Sequence, residues 1–289
     1  MTELSSPALA GLVVLGVAAG WFGALVGIGG GVLVVPALVL GFGVDFPVAV
    51  AASLVAVIAT STTAGSVYVG RGLTNMRLAM TLEVATTIGG ISGGLVATIL
   101  PASVLGGVFA ALLFVTAFLM LRGASHPAVR IIEPTATGTG WEQPGELAGG
   151  YLDLARGGIV RYRARRVPVG AAVSLMAGAA SGLLGVGGGF LKVPAMHLGM
   201  DIPIKVAAAT SNFMIGVTAA ASVFIYFARG YVEPLLTAPL VIGVIGGSFA
   251  GTRMSGRAQP AVLKLALAGL LLLVAVLMAL RSLGAGFDA

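Results

Sequence analysis

The chain has 289 residues, of which 58% are hydrophobic and 9% are charged, and its net charge is +6 at neutral pH. A soluble domain carries about one quarter charged residues, so this composition excludes a water-soluble globule and predicts a surface that faces lipid. The chain contains no cysteine, which excludes disulfides, thiolate metal sites and cysteine nucleophiles.

Eight apolar runs follow one another along the chain, and each is close to the roughly 20 residues that cross a bilayer core as an α-helix. The alternating segments of about ten residues that are typical of membrane β-barrels are absent from the sequence. We therefore predict an all-α polytopic membrane protein. No basic residues precede the first run, so we expect it to be kept as a helix rather than removed as a signal peptide. The runs are residues 8–26, 47–70, 78–100, 102–121, 167–184, 204–228, 234–252 and 261–280.

One hydrophilic segment interrupts the apolar pattern. Residues 123–166 hold 10 of the 26 charged residues, and five of the ten are arginines between positions 156 and 166. The positive-inside rule places this segment in the cytoplasm, where it sets the topology and contacts anionic lipid. A regulatory or nucleic-acid contact is the alternative, but we expect no nucleic-acid partner. The predicted organisation is a first membrane repeat 1–122, a cytoplasmic linker 123–166 and a second membrane repeat 167–289.

The two halves match each other when the sequence is shifted by 158 residues. The stretch LVGIGGGVLVVPAL begins at Leu25 and LLGVGGGFLKVPAM begins at Leu183, so a glycine-rich turn stands twice between apolar runs. The same shift pairs Ser53 with Ser211. A duplicated membrane chain with interrupted hydrophobic segments at matching positions is typical of secondary transporters, whose substrate site lies at the interruptions.

These residues resemble the TauE/SafE family of membrane permeases, which are described as exporters of sulfite and organosulfur anions. The resemblance rests on the motif G-[IV]-G-G-G-x-L-x-V-P, which stands in both halves before a serine-containing helix, and it covers nearly everything outside the linker. It implies that the transported solute is sulfite or a related organosulfur anion, and that the protein lies in the cytoplasmic (inner) membrane.

The segment around the first turn is too short for two complete membrane crossings. As helix, residues 8–43 would be about 54 Å long at 1.5 Å per residue, whereas two crossings of a core about 30 Å thick need about 60 Å. Residues 167–200 are shorter still. We therefore expect both turns inside the membrane thickness, as tips of helical hairpins that line a wet cavity or are buried in protein.

Glycine-rich turns at the start of a helix suit anion binding. Glycine permits positive φ and leaves backbone N–H groups uncovered, and the free N–H groups of the following helix point into the turn. The alternative is that glycine only allows tight packing at the tip. The candidate substrate-binding glycines are Gly27, Gly29, Gly30, Gly31, Gly185, Gly187, Gly188 and Gly189.

The helix after each hairpin carries a polar stripe. Ser53 and Thr60 are seven residues apart and share a helix face, and Ser211 and Thr218 repeat that spacing, with Asn212 adding an amide. Hydroxyl and amide donors hold an oxyanion without a full ion pair, so these five residues are candidate substrate ligands. The alternative is that the hydroxyls bond back to their own helices.

Few charges lie inside the apolar segments, so each is a functional candidate. Lys192 follows the second turn where the first half has Val34, and it is the candidate positive charge for an anion, the alternative being a lysine that snorkels to the interface. No carboxylate is near it in sequence, so we expect the transported anion to be its partner. Glu83 is read as an interfacial residue or a partner of Arg77, and Glu83 and His197 are candidate coupling groups for a proton or ion.

The distribution of positive charge favours inverted repeats over parallel ones. With the linker inside and both hairpins entering and leaving on one face, Arg253, Arg257 and Lys264 lie inside, against Arg229 and Arg281 outside. Each repeat is then a Gly-tipped hairpin plus three transmembrane helices, and the two tips approach the midplane from opposite faces.

The sequence therefore predicts a secondary transporter that exports a small oxyanion, held between the two tips and the Ser/Thr-lined helices. Two other classes stay open: a permease or channel for another small solute or a cation, since carbonyls at broken helices also bind Na⁺, and a membrane subunit that transports nothing. No carboxylate pair, metal cluster or nucleophile–base arrangement stands out, so we predict neither an enzyme nor a cofactor or metal. The expected partners are the anionic substrate, the lipid bilayer and a coupling proton or ion.

Overall fold

The computed structural model of the protein describes residues 6–122, 147–153, 158–254 and 260–282, and these are mostly helical. They form ten α-helices and one two-stranded sheet. In chain order these are α1 (Ser6–Val26), α2 (Gly31–Pro36), α3 (Phe46–Gly70), α4 (Met76–Ala97), α5 (Ala102–Arg122), β1 (Ala148–Asp153), β2 (Gly158–Arg163), α6 (Val167–Leu184), α7 (Gly189–Pro194), α8 (Ile204–Ala228), α9 (Pro234–Met254) and α10 (Pro260–Ser282).

Six helices in the described part of the chain, α1, α3, α4, α6, α8 and α9, are long and apolar enough to span a membrane. Large apolar side chains on them, such as Val84, Met176 and Phe224, are exposed at the surface of the protein. An extensive exposed apolar surface is expected where a protein contacts lipid. The prediction of an all-α polytopic membrane protein is confirmed.

A short arm follows each glycine-rich turn. Both α2 and α7 continue into a π-helical turn, Ala37–Gly41 after the first and Ala195–Gly199 after the second. Pro36 and Pro194 end the α-helical part because proline has no N–H to donate to the helical ladder. Each arm of 11 residues is about 16 Å long at 1.5 Å per residue, which is much less than the core of a bilayer.

The shift of 158 residues that relates the two halves of the sequence also relates the helix boundaries. α3 and α8 both have 25 residues, and α2 and α7 both have six, with starting positions that differ by 158. The similarity therefore extends from residue identities to helix lengths.

Glycines bring two pairs of helices into backbone contact, α1 with α9 and α4 with α6. A Cβ on Gly247 would overlap the carbonyl oxygen of Val17, and a Cβ on Gly93 would overlap that of Ala179. Small residues spaced four apart allow helix backbones to approach this closely in membranes. In each pair, the first helix of one half packs against the fourth helical segment of the other half.

These contacts also give the directions of the helices. Gly16 lies against Leu240 and Gly20 lies against Val244, so α1 and α9 run in the same direction. α4 and α6 also run in the same direction, because they touch at positions equivalent to those that join α9 and α1. Those contacts join Thr86 with Gly178 and Gly90 with Gly182.

α3 and α8 cross in the middle of the protein and run in opposite directions. The Ser61 hydroxyl donates a hydrogen bond to the carbonyl oxygen of Asn212, and the same side chain lies against Gly216. Gly65, one turn further along α3, lies beside Phe213, which precedes Gly216 on α8. α5 and α10 pack against each other as a further pair.

Part of the hydrophilic linker is folded. β1 and β2 form an antiparallel hairpin in which Tyr151 is paired with Val160 and Gly149 is paired with Tyr162. These positions share one face of the hairpin because side chains alternate along a strand. The face is buried against apolar side chains that include Leu78, so burial raises the pKa of Tyr162 to about 12.

The sequence predicted only a hydrophilic connection for the linker, and the β-hairpin is an addition to that prediction. Its short alternation of tyrosine and valine was masked by the neighbouring arginines. Residues 123–146 and 154–157 of the predicted linker, with Arg156, lie outside the described residues, as does Arg257.

Candidate functional site

The two glycine-rich turns meet in the middle of the protein. Gly27–Gly31 and Gly185–Gly189 are buried, and each turn contacts the other. A Cβ on Gly31 would overlap the carbonyl oxygen of Gly185, and a Cβ on Gly189 would overlap that of Gly27. We call this meeting point the tip contact. It brings together all eight glycines that the sequence singled out.

Gly30 and Gly188 are the N-cap residues of α2 and α7, the short helices that follow the two turns. Their φ angles are 75° and 70°, in the left-handed region that side chains rarely adopt. A Cβ on either residue would also come within 2.5 Å of a carbonyl oxygen, that of Ala19 or Ala177. Backbone conformation and close packing therefore both require glycine at these two positions.

Two serines hold the tip contact together across the halves. Ser53 Oγ donates to the carbonyl oxygen of Gly185 at 2.7 Å, and Ser211 Oγ donates to that of Gly27 at 3.0 Å. Each serine belongs to one half and bonds to the tip of the other half. The two hydroxyl protons, which the sequence offered as substrate ligands, are therefore engaged by backbone carbonyls in this conformation.

Two tyrosines, which sequence reasoning did not include in the site, support the tips in the same way. Tyr68 Oη donates to the carbonyl oxygen of Ala24 at 2.9 Å, and Tyr226 Oη donates to that of Gly182 at 2.8 Å. Both bonds satisfy carbonyl groups in the last turn of the helix that precedes a tip. The sequence could have indicated them, because the shift of 158 residues pairs Tyr68 with Tyr226.

The two threonines of the polar stripe stand at equivalent positions but have different neighbours. Thr60 Oγ1 donates to the carbonyl oxygen of Ala56 at 3.0 Å, within its own helix. Thr218 Oγ1 donates to Glu83 Oε1 at 2.7 Å and accepts from Lys192 Nζ at 3.2 Å. Only Thr218 therefore links charged side chains.

Lys192, Thr218 and Glu83 form a buried polar chain that we call the charged cluster. Lys192 is 1% exposed and Glu83 is 5% exposed, and Thr218 is fully buried between them. In the part of the chain that the structure describes, Lys192 Nζ makes one hydrogen bond, although an ammonium has three protons to donate. Glu83 Oε2 is buried and has no hydrogen-bond partner there.

This geometry corrects two expectations. Glu83 is buried inside the protein, and its carboxylate accepts a hydrogen bond from Thr218 of α8. Lys192 has a carboxylate nearby in the fold, although none is near it in sequence, because Glu83 reaches it through one hydroxyl. The carboxylate is far from Lys192 in sequence and comes from the other half of the chain, so sequence proximity did not reveal it. The snorkelling alternative for Lys192 is excluded by its burial.

The charged cluster has polar surroundings, whereas the equivalent positions of the two halves are apolar. Thr87 Oγ1 donates to Glu83 Oε1 at 3.4 Å, and Ser222 Oγ donates to the carbonyl oxygen of Thr218 at 2.9 Å. The shift of 158 residues maps Lys192, Glu83 and Ser222 onto Val34, Val241 and Ala64. The glycine-rich turns and their serine bonds are thus duplicated, whereas the charged cluster exists once.

The remaining two candidates lie elsewhere. Asn212 Nδ2 donates to the carbonyl oxygen of Ala24 at 3.3 Å, and its Oδ1 is buried without a partner among the described residues. His197 lies half-buried in the second π-helical turn, where its Nδ1 is 2.8 Å from the carbonyl oxygen of Ile202. Among the residues that the structure describes, no three His, Cys, Asp or Glu side chains are grouped so as to hold a metal ion.

Residues 12–278 match the model of a family described as Sulfite exporter TauE/SafE. The chain belongs to this family. A relative from Bacillus subtilis (strain 168), "Probable membrane transporter protein YunE", is 29% identical over 258 residues, which cover 86% of this chain and 89% of the relative. A relative from Xylella fastidiosa (strain 9a5c), "Probable membrane transporter protein", is 27% identical over 234 residues, which cover 81% and 79%. No solved structure matches the chain.

Membership of the TauE/SafE family agrees with the apolar helices described above. The resemblance first seen in the two glycine-rich motifs is confirmed over most of the chain. The protein is a multi-pass membrane transporter, and its partners are a small solute and the lipid bilayer.

Proposed function

We propose that the protein exports a small oxyanion, sulfite or a related organosulfur anion, across the cytoplasmic membrane. The observation that carries the proposal is the buried ammonium of Lys192, which uses one of its three protons in the described structure. A buried charge with unused donors is costly in a protein interior and stands there for a function. An oxyanion supplies the acceptors that the two remaining protons need.

Lys192 is well placed to act together with the second tip. It lies on α7, three residues after Gly189, and its own backbone N–H donates to the carbonyl oxygen of Gly188. The first N–H groups of α7 and the side chain of Lys192 therefore belong to the same short helix. Thr218 adds a hydroxyl that can donate to an anion when it releases Glu83.

The two serines and the tip contact have a different part in this proposal. Ser53 and Ser211 bond the tips to each other in the conformation described here, so the tips are closed against one another. Transport requires a conformation in which the tip contact opens on one side, and the eight glycines then line the path.

We also propose that the halves 1–122 and 167–289 are inverted repeats. The helix directions support this: α1 runs with α9, α6 runs with α4, and α3 runs against α8. If the short arm of each hairpin returns to the face from which the hairpin entered, α1 and α4 run in opposite directions. α9 then runs against α4, its counterpart in the other half. Parallel repeats would require these counterparts to run in the same direction.

The experiment is solute flux into liposomes that contain the purified protein. Labelled sulfite, thiosulfate, sulfate and Na⁺ are compared in the wild type and in Lys192→Met. We expect flux of sulfite or thiosulfate in the wild type and its loss in the variant. Flux of Na⁺ without any anion would favour a cation permease, and the absence of all flux would favour a membrane subunit that transports nothing; either result contradicts the proposal.

A further inference from the structure

The residues that support the tips are duplicated in the two halves, whereas the charged cluster is not. Ser53 with Ser211, and Tyr68 with Tyr226, make the same bonds in both halves. The charged cluster interrupts this symmetry, because Lys192 of one half meets Glu83 of the other half, whereas the equivalent positions, Val34 and Val241, are both valine. The proposed function gives a role to the buried base, Lys192, but it does not yet give one to the buried acid, Glu83.

The carboxylate of Glu83 is only half satisfied. Oε1 accepts from Thr218 at 2.7 Å and from Thr87 at 3.4 Å, whereas Oε2 is buried and has no partner within the described residues. A carboxylate oxygen that is buried without a donor is costly while it is charged, and that cost falls when a proton makes the group neutral. Oε2 is therefore the atom on which a proton is best placed.

Charge balance links that proton to the transported anion. With Lys192 as ammonium and Glu83 as carboxylate, the charged cluster is neutral and can be buried without substrate. An anion beside Lys192 would leave a net negative charge in a buried region and would face Glu83 across a single hydroxyl. Protonation of Glu83 removes one negative charge, which balances a monoanion completely and a dianion in part, and Lys192 is then free to pair with the anion.

We propose that Glu83 takes up one proton when the anion binds beside Lys192, so that anion and proton cross the membrane together. The inference rests on the proposed function. The O–H bond forms at Glu83 Oε2 with a proton from the aqueous side that supplies the anion, and it breaks when the anion leaves. Glu83 then pairs again with Lys192 through Thr218, and the neutral empty cluster returns.

Among the residues that the structure describes, Lys192 is the charged group that reaches the Glu83 carboxylate, through Thr218. α6 contains no titratable side chain. On α8, Lys205 lies at the first turn and is exposed, and Tyr226 bonds to the carbonyl oxygen of Gly182. The proton balance of the cluster is therefore carried by its own acid and base.

Calorimetry in two buffers of different ionisation enthalpy measures the number of protons that accompany binding. Thiosulfate is the first probe because it does not titrate near neutral pH, and sulfite is the second. We expect the wild type to take up about one proton per thiosulfate above the pH at which free Glu83 ionises, and its affinity to fall about tenfold per pH unit there. At pH values where Lys192 stays protonated, Glu83→Gln is expected to bind with no proton uptake and with an affinity that does not change with pH.

Val241→Gln is the matched control, because it places the same amide at the equivalent position of α9. It is expected to keep the proton number of the wild type. With sulfite, which titrates itself, the difference between wild type and Glu83→Gln isolates the proton on Glu83. The thiosulfate measurement on the wild type needs no variant, so a poorly folded Glu83→Gln protein does not weaken the test.

The outcomes separate the two proposals. Thiosulfate binding by the wild type with no proton uptake overturns this inference and leaves the proposed function standing. A sulfite proton number that is equal in wild type and Glu83→Gln does the same. A wild type that binds neither probe overturns the proposed function and this inference with it.

Discussion

Lys192 and Val34 occupy equivalent positions in the two short helices that follow the glycine-rich turns, and both are buried, yet only one is charged. The charge on Lys192 is matched by Glu83, which belongs to the other half of the chain. The charged cluster therefore uses both halves, although it is not duplicated.

Replacing Lys192 by methionine is expected to weaken binding of sulfite by about 1.5–3 kcal/mol, the usual range for hydrogen bonds to a charged group, or roughly tenfold to 150-fold. The variant also leaves Glu83 buried without its counter-charge, which costs about 3–5 kcal/mol of folding stability. Affinity is measured by calorimetry, and stability by thermal unfolding in detergent.

The double variant Lys192→Met/Glu83→Gln separates these two effects. It contains no uncompensated charge, so we expect thermal stability close to that of the wild type, with affinity still low. Recovery of affinity in the double variant would show that the single variant failed through misfolding and that Lys192 does not bind the anion.

Ser53→Ala and Ser211→Ala are expected to lower the free energy of unfolding by about 1–3 kcal/mol each, because each leaves a buried tip carbonyl without its donor. Ser66→Ala is the control on the same helix as Ser53: it is exposed, its bond lies within α3, and we expect a change within about 0.5 kcal/mol. A loss of sulfite affinity at unchanged stability would instead make the two serines substrate ligands, as the sequence reading had them.

Gly246 and Gly247 are neighbours on α9 and test the close helix packing. A Cβ on Gly247 would overlap the carbonyl oxygen of Val17 on α1, whereas a Cβ on Gly246 would meet nothing within 4 Å. We expect Gly247→Leu to lower the unfolding temperature strongly, since overpacking costs about 1–3 kcal/mol or more. Gly246→Leu should be neutral or stabilising because leucine is the better helix former. Similar unfolding temperatures in the two variants would rule out backbone contact between α1 and α9.

The chain contains no cysteine, so single cysteines report topology without background labelling. Gly70 and Ala228 are the exposed last residues of α3 and α8, and they are equivalent positions of the two halves. Inverted repeats place them on opposite faces of the membrane. We expect a membrane-impermeant maleimide to label Ala228→Cys in intact cells and Gly70→Cys only after permeabilisation. Labelling of both from one side would mean parallel repeats.

The sequence by itself determined the class of protein and the positions of its turns. A chain with 9% charged residues cannot cover a globule in water, and apolar runs of membrane-spanning length must satisfy their backbone groups as helices. The duplicated motif located both glycine-rich turns, since positions that require left-handed backbone, such as Gly30 and Gly188, keep glycine whatever surrounds them. These properties are local, and the sequence shows them directly.

Only the tertiary structure decided which polar residues support the fold and which form the charged cluster. From the sequence, Ser53 and Ser211 are candidate substrate ligands like the other residues of the polar stripe. In the structure, their hydroxyls donate hydrogen bonds to tip carbonyls that lie more than 130 residues away along the chain. Glu83 and Lys192 are separated by more than a hundred residues, and they come together because α4 packs against α6 and α8. Long-range pairs of this kind depend on how the two halves interlock, and one sequence read along its length does not contain that information.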